Sequence, residues 1–152
     1  MRILIDADGC PVVDLTAAIA REHHAECLIL CDTCHRFEKP GTTTLTFSKG
    51  ADSVDFALVN LLRPGDVVVT QDYGLAAMCL ARRARVLHQD GMEYTGGNID
   101  ALLLARHTAR KIRGAGGRLK GPSRRRGVQD VDFALALRRL LAEVQLSERE
   151  TP

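Results

Sequence analysis

Residues Met1–Val13 read Met-Arg-Ile-Leu-Ile-Asp-Ala-Asp-Gly-Cys-Pro-Val-Val. Ile3, Leu4 and Ile5 form a short continuous apolar run, the mark of a strand buried on both faces. Two carboxylates, Asp6 and Asp8, follow at once. Gly9 then permits a tight turn, and Pro11 suits the first turn of a helix. A buried strand that ends in acids and turns into a helix is a common frame for an active site, because ligands of open α/β sheets sit beyond the carboxyl ends of the strands.

The pattern repeats along the chain. A helix is expected over Pro11–Glu22, with Val12, Leu15, Ile19 and Ala20 at helical spacing, then a buried strand over Cys27–Cys31. Asp32–Thr42 reads as a polar loop, and Thr43–Phe47 as a third strand. Asp52 or Ser53 caps a helix reaching about Leu62, which Pro64-Gly65 stops. Val67–Thr70 is the clearest strand, Leu75–Arg82 a helix that Asp72 can cap, and Arg85–His88 a short fifth strand. Asp90–Gly97 reads as a loop with room for a hairpin-like excursion. Asn98 is placed to cap a helix over Ile99–Ile112, and Asp130 one running to about Gln145.

Alternating strands and helices imply parallel strands with right-handed crossovers. The expected fold is a three-layer α/β/α domain around a mostly parallel sheet of about five strands. One domain over residues 1–146, followed by a frayed tail at 147–152, accounts for all 152 residues.

Bulk properties narrow the class. The apolar share is 45%, but no apolar run approaches the ~20 residues that span a bilayer. Acidic residues interrupt the N-terminal apolar stretch, so no signal-peptide pattern is present and a cytoplasmic location with no membrane partner is expected. Five cysteines, an odd number, do not suit a disulfide framework. Aromatic residues make up 4% of the chain, which leaves few stacking platforms.

Charge is unevenly spread. Nine Lys and Arg residues and no acid lie between Ala101 and Gln129, leaving twelve basic against nineteen acidic residues elsewhere. Arg106, Arg110, Lys120, Arg124 and Arg125 are the candidates for gripping a polyanion. A solvated helix and loop would carry the same charges.

The acids gather at strand ends and helix starts: Asp6 and Asp8, Asp52 and Asp55, Asp72. If the strands bearing Asp6 and Asp72 are neighbours, their carboxylates converge. Clustered carboxylates need a counter-charge, which Mg²⁺ or Mn²⁺ supplies through all-oxygen coordination. Such a site hydrolyses phosphodiesters with metal-activated water. The plain alternative is that Asp52, Asp55 and Asp72 are helix caps.

The segments Asp6-Ala-Asp8-Gly-Cys10-Pro11-Val12, Gly50-Ala-Asp52-Ser-Val-Asp55 and Gly65-Asp66-Val-Val-Val-Thr70-Gln-Asp72-Tyr-Gly-Leu75-Ala76 resemble, in this order, those of the YaiI/YqxD family of uncharacterised bacterial proteins. Gly91, Tyr94-Thr95, Asn98-Ile99, Gly121-Pro122, Asp130 and Phe133 continue the resemblance over nearly the whole chain. Gly9 departs from the family's usual Ala. The resemblance implies a PIN-like fold in which Asp6, Asp55 (or Asp52) and Asp72 are catalytic metal-binding acids; Asp8 and Asp52 stand beside them as direct ligands or water-mediated helpers. It implies a metal-dependent nuclease, with RNA as the expected partner.

Other readings of the same residues stand beside this one. A non-catalytic RNA-binding module would use the basic 106–126 span alone. A phosphatase of the haloacid-dehalogenase type would use Asp6 as nucleophile in Asp6-Ala-Asp8-Gly9, though Cys10 replaces the usual Thr. Cys31-Asp-Thr-Cys34-His35 matches a haem-attachment string and a zinc half-site, but it lacks a second ligand pair, and Cys27 and Cys31 suit the core.

Overall fold

Ile3, Leu4 and Ile5 run through the middle of the sheet, fully buried. In the computed structural model, which describes residues 1–32, 38–48, 53–118 and 124–151, this first strand, β1 (Arg2–Asp6), pairs in parallel with both its neighbours. Ile3 stands opposite Cys27 on one side and opposite Val67 on the other. The remaining elements are α1 (Val13–Glu22), β2 (Glu26–Asp32), β3 (Thr42–Phe47), α2 (Ser53–Leu61), β4 (Val67–Val69) and α3 (Tyr73–Ala81), followed by β5 (Arg85–Leu87), β6 (Glu93–Tyr94), α4 (Ile99–Gly114) and α5 (Gly127–Glu150). The strand order is β3-β2-β1-β4-β5-β6, and only β6 runs antiparallel.

The pleat divides the core into two. Ile3, Ile5, Cys27, Ile29 and Cys31 face one side, where Phe133, Leu137, Leu140 and Leu141 of α5 and Ile19 of α1 cover them. Leu4, Leu28, Leu30, Val68 and Val86 face the other, under Leu58 of α2, Leu75 and Cys79 of α3 and Ile99 of α4. Two covered faces make three layers, and they explain why the strands read as unbroken apolar runs. Chain direction across the sheet reverses between β1 and β4. Helix α1 follows β1 on one face and α3 follows β4 on the other, which opens a crevice at the carboxyl ends of these two strands.

Local chemistry sets the boundaries. Gly9 turns the chain with φ +72°, and the Cys10 amide donates to the Ala7 carbonyl, so α1 begins at Val13, two residues later than expected. The expected excursion over Asp90–Gly97 contains a sixth strand. Gly91 (φ +96°) closes the turn, and the His88 amide donates to the Met92 carbonyl at 2.8 Å. Asn98 does not cap α4 with its side chain: Oδ1 accepts from the Thr95 amide at 2.9 Å and Nδ2 donates to the Glu93 carbonyl at 2.8 Å, bracing β6 instead. Asp130 lies inside α5, not at its cap, because the Gln129 side chain accepts from the Arg126 amide at 2.6 Å and starts the helix four residues earlier. Helix α5 continues to Glu150.

At the amino end of the sheet, Arg2 donates to both Asp66 oxygens and to the Leu61 carbonyl. That buried carboxylate is matched by a buried cation. The carboxyl end of the sheet is built differently.

Candidate functional site

Three strands deliver acids to one edge. Asp6 closes β1, Asp32 closes β2, and Asp72 follows β4 as the N-cap of α3. Asp8 lies in the turn after β1, and Asp55 in the first turn of α2. Together with Ser53, Val54 and Gln71 these five carboxylates line a cleft of about 260 Å³. The β1–β4 pairing meets the condition left open by the sequence and brings Asp6 and Asp72 to the same end of the sheet.

A buried hydroxyl joins the two. Thr70 donates from Oγ1 to Asp6 Oδ2 at 2.8 Å and accepts from the Asp72 amide at 3.0 Å. Thr70 is itself tied down: its amide donates to the Leu87 carbonyl, and its carbonyl accepts from the Tyr94 hydroxyl at 3.3 Å. Asp8 Oδ2 accepts from the Asp32 amide at 3.0 Å, which pins the ends of β1 and β2 together. Asp72 Oδ1 accepts from the Leu75 amide at 3.1 Å, the expected cap, and from Arg106 Nη1 at 3.3 Å.

Burial pushes the Asp6 carboxyl up to about 6. The Thr70 hydroxyl opposes this shift, while the charges of Asp55, Asp72 and Asp8 reinforce it. Asp6 therefore lies in the field of three other acids, the condition under which a bound cation relieves repulsion. The donors are all oxygen, which suits Mg²⁺ or Mn²⁺. As the side chains stand, no three His, Cys, Asp or Glu groups among the described residues are arranged to hold an ion. Asp72 spends Oδ1 on its helix and on Arg106. The donor chemistry fits a hard cation, and closure around one requires these side chains to turn.

The other candidates separate. Arg106 of α4 reaches the rim of the cleft through Asp72, and Arg110 and Arg124 are exposed. Arg125 is committed elsewhere: it bonds Asp90, Asp130 and the Gln89 carbonyl, latching the turn before β6 to the start of α5. Asp52, Lys120, Cys34 and His35 lie outside the described residues. Cys27 and Cys31 are buried in the core, and burial pushes the Cys27 thiol up to about 12 and the Cys31 thiol upward. Cys10, beside the Asp6 turn, is raised to about 11 by burial, which makes it a poor nucleophile.

Asp32 was legible and missed. It ends a buried strand as Asp6 does, but the polar residues after it suggested a loop. Gln71 and Ser53 carry no signal of their own and enter the cleft as neighbours of Asp72 and Asp55.

The sequence profile described as "Uncharacterized BCR, YaiI/YqxD family" matches residues 4–143. The chain belongs to the YaiI/YqxD family. Similar proteins carry the name UPF0178 protein. The one from Exiguobacterium sibiricum is 52% identical over 143 residues, covering 94% of this chain and 98% of the relative. The one from Clostridium acetobutylicum is 46% identical over 143 residues, covering 93% and 97%. That from Natranaerobius thermophilus is 39% identical over 147 residues, covering 97% and 100%. These names assign the family no activity. No solved structure matches the chain. No helix among the described residues is long and apolar enough to cross a membrane.

Proposed function

We propose that this family member is a divalent-metal-dependent nuclease that hydrolyses phosphodiester bonds in RNA. One observation carries the reading. Asp6 and Asp8, Asp55, and Asp72 come from three separate segments of the chain and line one cleft at the carboxyl edge of the sheet, where burial first, and then the charges of the other three acids, push the Asp6 carboxyl upward. Asp6, Asp55 and Asp72 would hold Mg²⁺ or Mn²⁺, with Asp8 and Asp32 beside them. Asp52, outside the described residues, keeps its sequence-based role as a helper. The ion supplies Lewis acidity toward the phosphodiester and lowers the cost of water attack at neutral pH. The protein's part is to fix Asp6 through Thr70, to set Asp72 on the N-terminus of α3, and to present basic residues of α4 to flanking phosphates. The PIN-like likeness and the cytoplasmic location belong to this proposal.

The test is cleavage of a labelled RNA with Mn²⁺ by wild type and by the Asp6→Asn/Asp72→Asn double variant. Activity should disappear in the variant while its thermal melt stays cooperative. Equal cleavage by both proteins refutes the proposal.

A second reading, RNA binding without catalysis, is favoured by one feature. Asp72 already has structural work as a cap and as the partner of Arg106. In that case binding would be steeply salt-dependent, indifferent to Mn²⁺ and to Asp6→Asn, and weakened by neutralising Arg106 and Arg110. The phosphatase reading differs again, in predicting turnover of small phosphate esters and a phosphoryl group trapped on Asp6.

A further inference from the structure

Beside the carboxylate cleft lies a second recess of about 350 Å³, lined by Gln71, Asp72, Tyr73 and Arg106. Gln71 and Asp72 line both, so the two adjoin. Its size falls at the small end of ligand pockets. Its chemistry is mixed: an aromatic ring, an amide that both donates and accepts, and a guanidinium. The chain has only two tyrosines, and both stand here. The Tyr73 ring packs edge-on to Tyr94 with centroids 5.9 Å apart, and Tyr94 is buried and bonded to the Thr70 carbonyl. Tyr73 is thereby braced as a fixed platform.

Gly74 lies next to the Arg106–Asp72 pair. A Cβ there would stand 3.3 Å from Asp72 Oδ1 and 3.7 Å from Arg106 Nη1. The Arg106–Asp72 pair is solvent-exposed and correspondingly weak, and a guanidinium exchanges readily to the better geometry of a phosphate.

We propose that this recess is a nucleotide subsite for a single strand, holding the base and phosphate next to the phosphodiester that the carboxylate cleft receives. Tyr73 supports the base, Gln71 reads its edge, and Arg106 passes from Asp72 to the phosphate. The exchange also releases Asp72 for the cation, so strand and cation bind cooperatively. The proposal rests on the metal-nuclease reading of the cleft. An unstacked base is required, which selects single strands over duplexes.

The experiment titrates a fluorescein-labelled 2′-O-methyl hexanucleotide by anisotropy with Mn²⁺ present, and separately measures Mn²⁺ binding by electron paramagnetic resonance. Arg106→Gln and Tyr73→Leu should each weaken hexanucleotide binding about tenfold, with Tyr73→Phe close to wild type. The same loss of charge at Arg139→Gln, on the opposite layer, should change little. Mn²⁺ binding without the oligonucleotide should survive in all of these variants and fail in Asp6→Asn. If Arg106→Gln and Tyr73→Leu bind the hexanucleotide as wild type does while Asp6→Asn loses Mn²⁺, the subsite is wrong and the cleft reading stands. If wild type binds no Mn²⁺ yet both variants lose the hexanucleotide, the cleft reading falls and the nucleotide recess remains. Arg106→Gln lies on an exposed helix face, so its result does not depend on refolding the core.

Discussion

Replacing Asp6 by Asn should stabilise the protein at neutral pH and leave its stability nearly unchanged in acid. The ordinary carboxyl value of 3.8 rises to about 6 in the folded protein. A raised carboxyl binds its proton more tightly folded than unfolded. Its favourable contribution is therefore complete below pH 3.8 and is lost as pH rises through about 6. The gap corresponds to at most about 3 kcal/mol, a ceiling because Asp6 keeps some contact with solvent. Asn removes the charge at every pH and can still accept the Thr70 hydroxyl bond. While Asp8, Asp55 and Asp72 add a smaller coupled contribution of their own, titrations of groups that do not interact with Asp6 cancel in the difference. Urea unfolding of both proteins from pH 3.5 to pH 8 measures it. The variant's advantage should open between about pH 4 and pH 6.5 and then level off. Saturating Mn²⁺ should close it by stabilising only the wild type. A pH-independent difference, or a variant less stable than wild type at pH 7.5, would show that burial and the cleft charges do not act on Asp6 as described.

Three further predictions follow from the geometry. Thr70→Val keeps the side-chain volume but deletes both hydroxyl bonds; it should cost about 1–3 kcal/mol in unfolding experiments and weaken Mn²⁺ binding. Gly91→Ala places a Cβ 2.8 Å from the Asp132 carbonyl oxygen at a positive φ, and should lower stability by more than about 1 kcal/mol, read as a fall in melting temperature. Arg125→Gln should cost about 1–2 kcal/mol and speed hydrogen exchange in the 88–92 turn, with little loss of RNA affinity; a large loss of RNA affinity at unchanged stability would restore its role as a phosphate contact.

What the sequence could convey here depended on length and period. The buried strands β1, β2 and β4 announce themselves because both faces are covered, so the apolar run is continuous. β6 does not, because two residues cannot show a period; it exists through Gly91, Asn98 and the buried Tyr94. The acids were legible as strand-end residues, but their convergence was not, since nothing local sets β4 beside β1. Asp32 obeyed the same rule as Asp6 and was obscured by its polar surroundings. Arg125 was indistinguishable in sequence from Arg124, which is exposed; only the fold sets Asp90 and Asp130 beside it. Asn98 and Asp130 are residue types that cap helices, and each was drawn instead to a nearer partner.

Thr70 has one hydroxyl proton, and its bonds fix where that proton points. Because Oγ1 accepts from the Asp72 amide, its proton goes to Asp6 Oδ2. That oxygen is thereby held as the acceptor of the Thr70 hydroxyl. With Oδ2 engaged by Thr70, Oδ1 is the Asp6 oxygen that has no bond from this hydroxyl. A backbone amide two residues beyond Thr70 thus helps to orient the hydroxyl that holds Asp6.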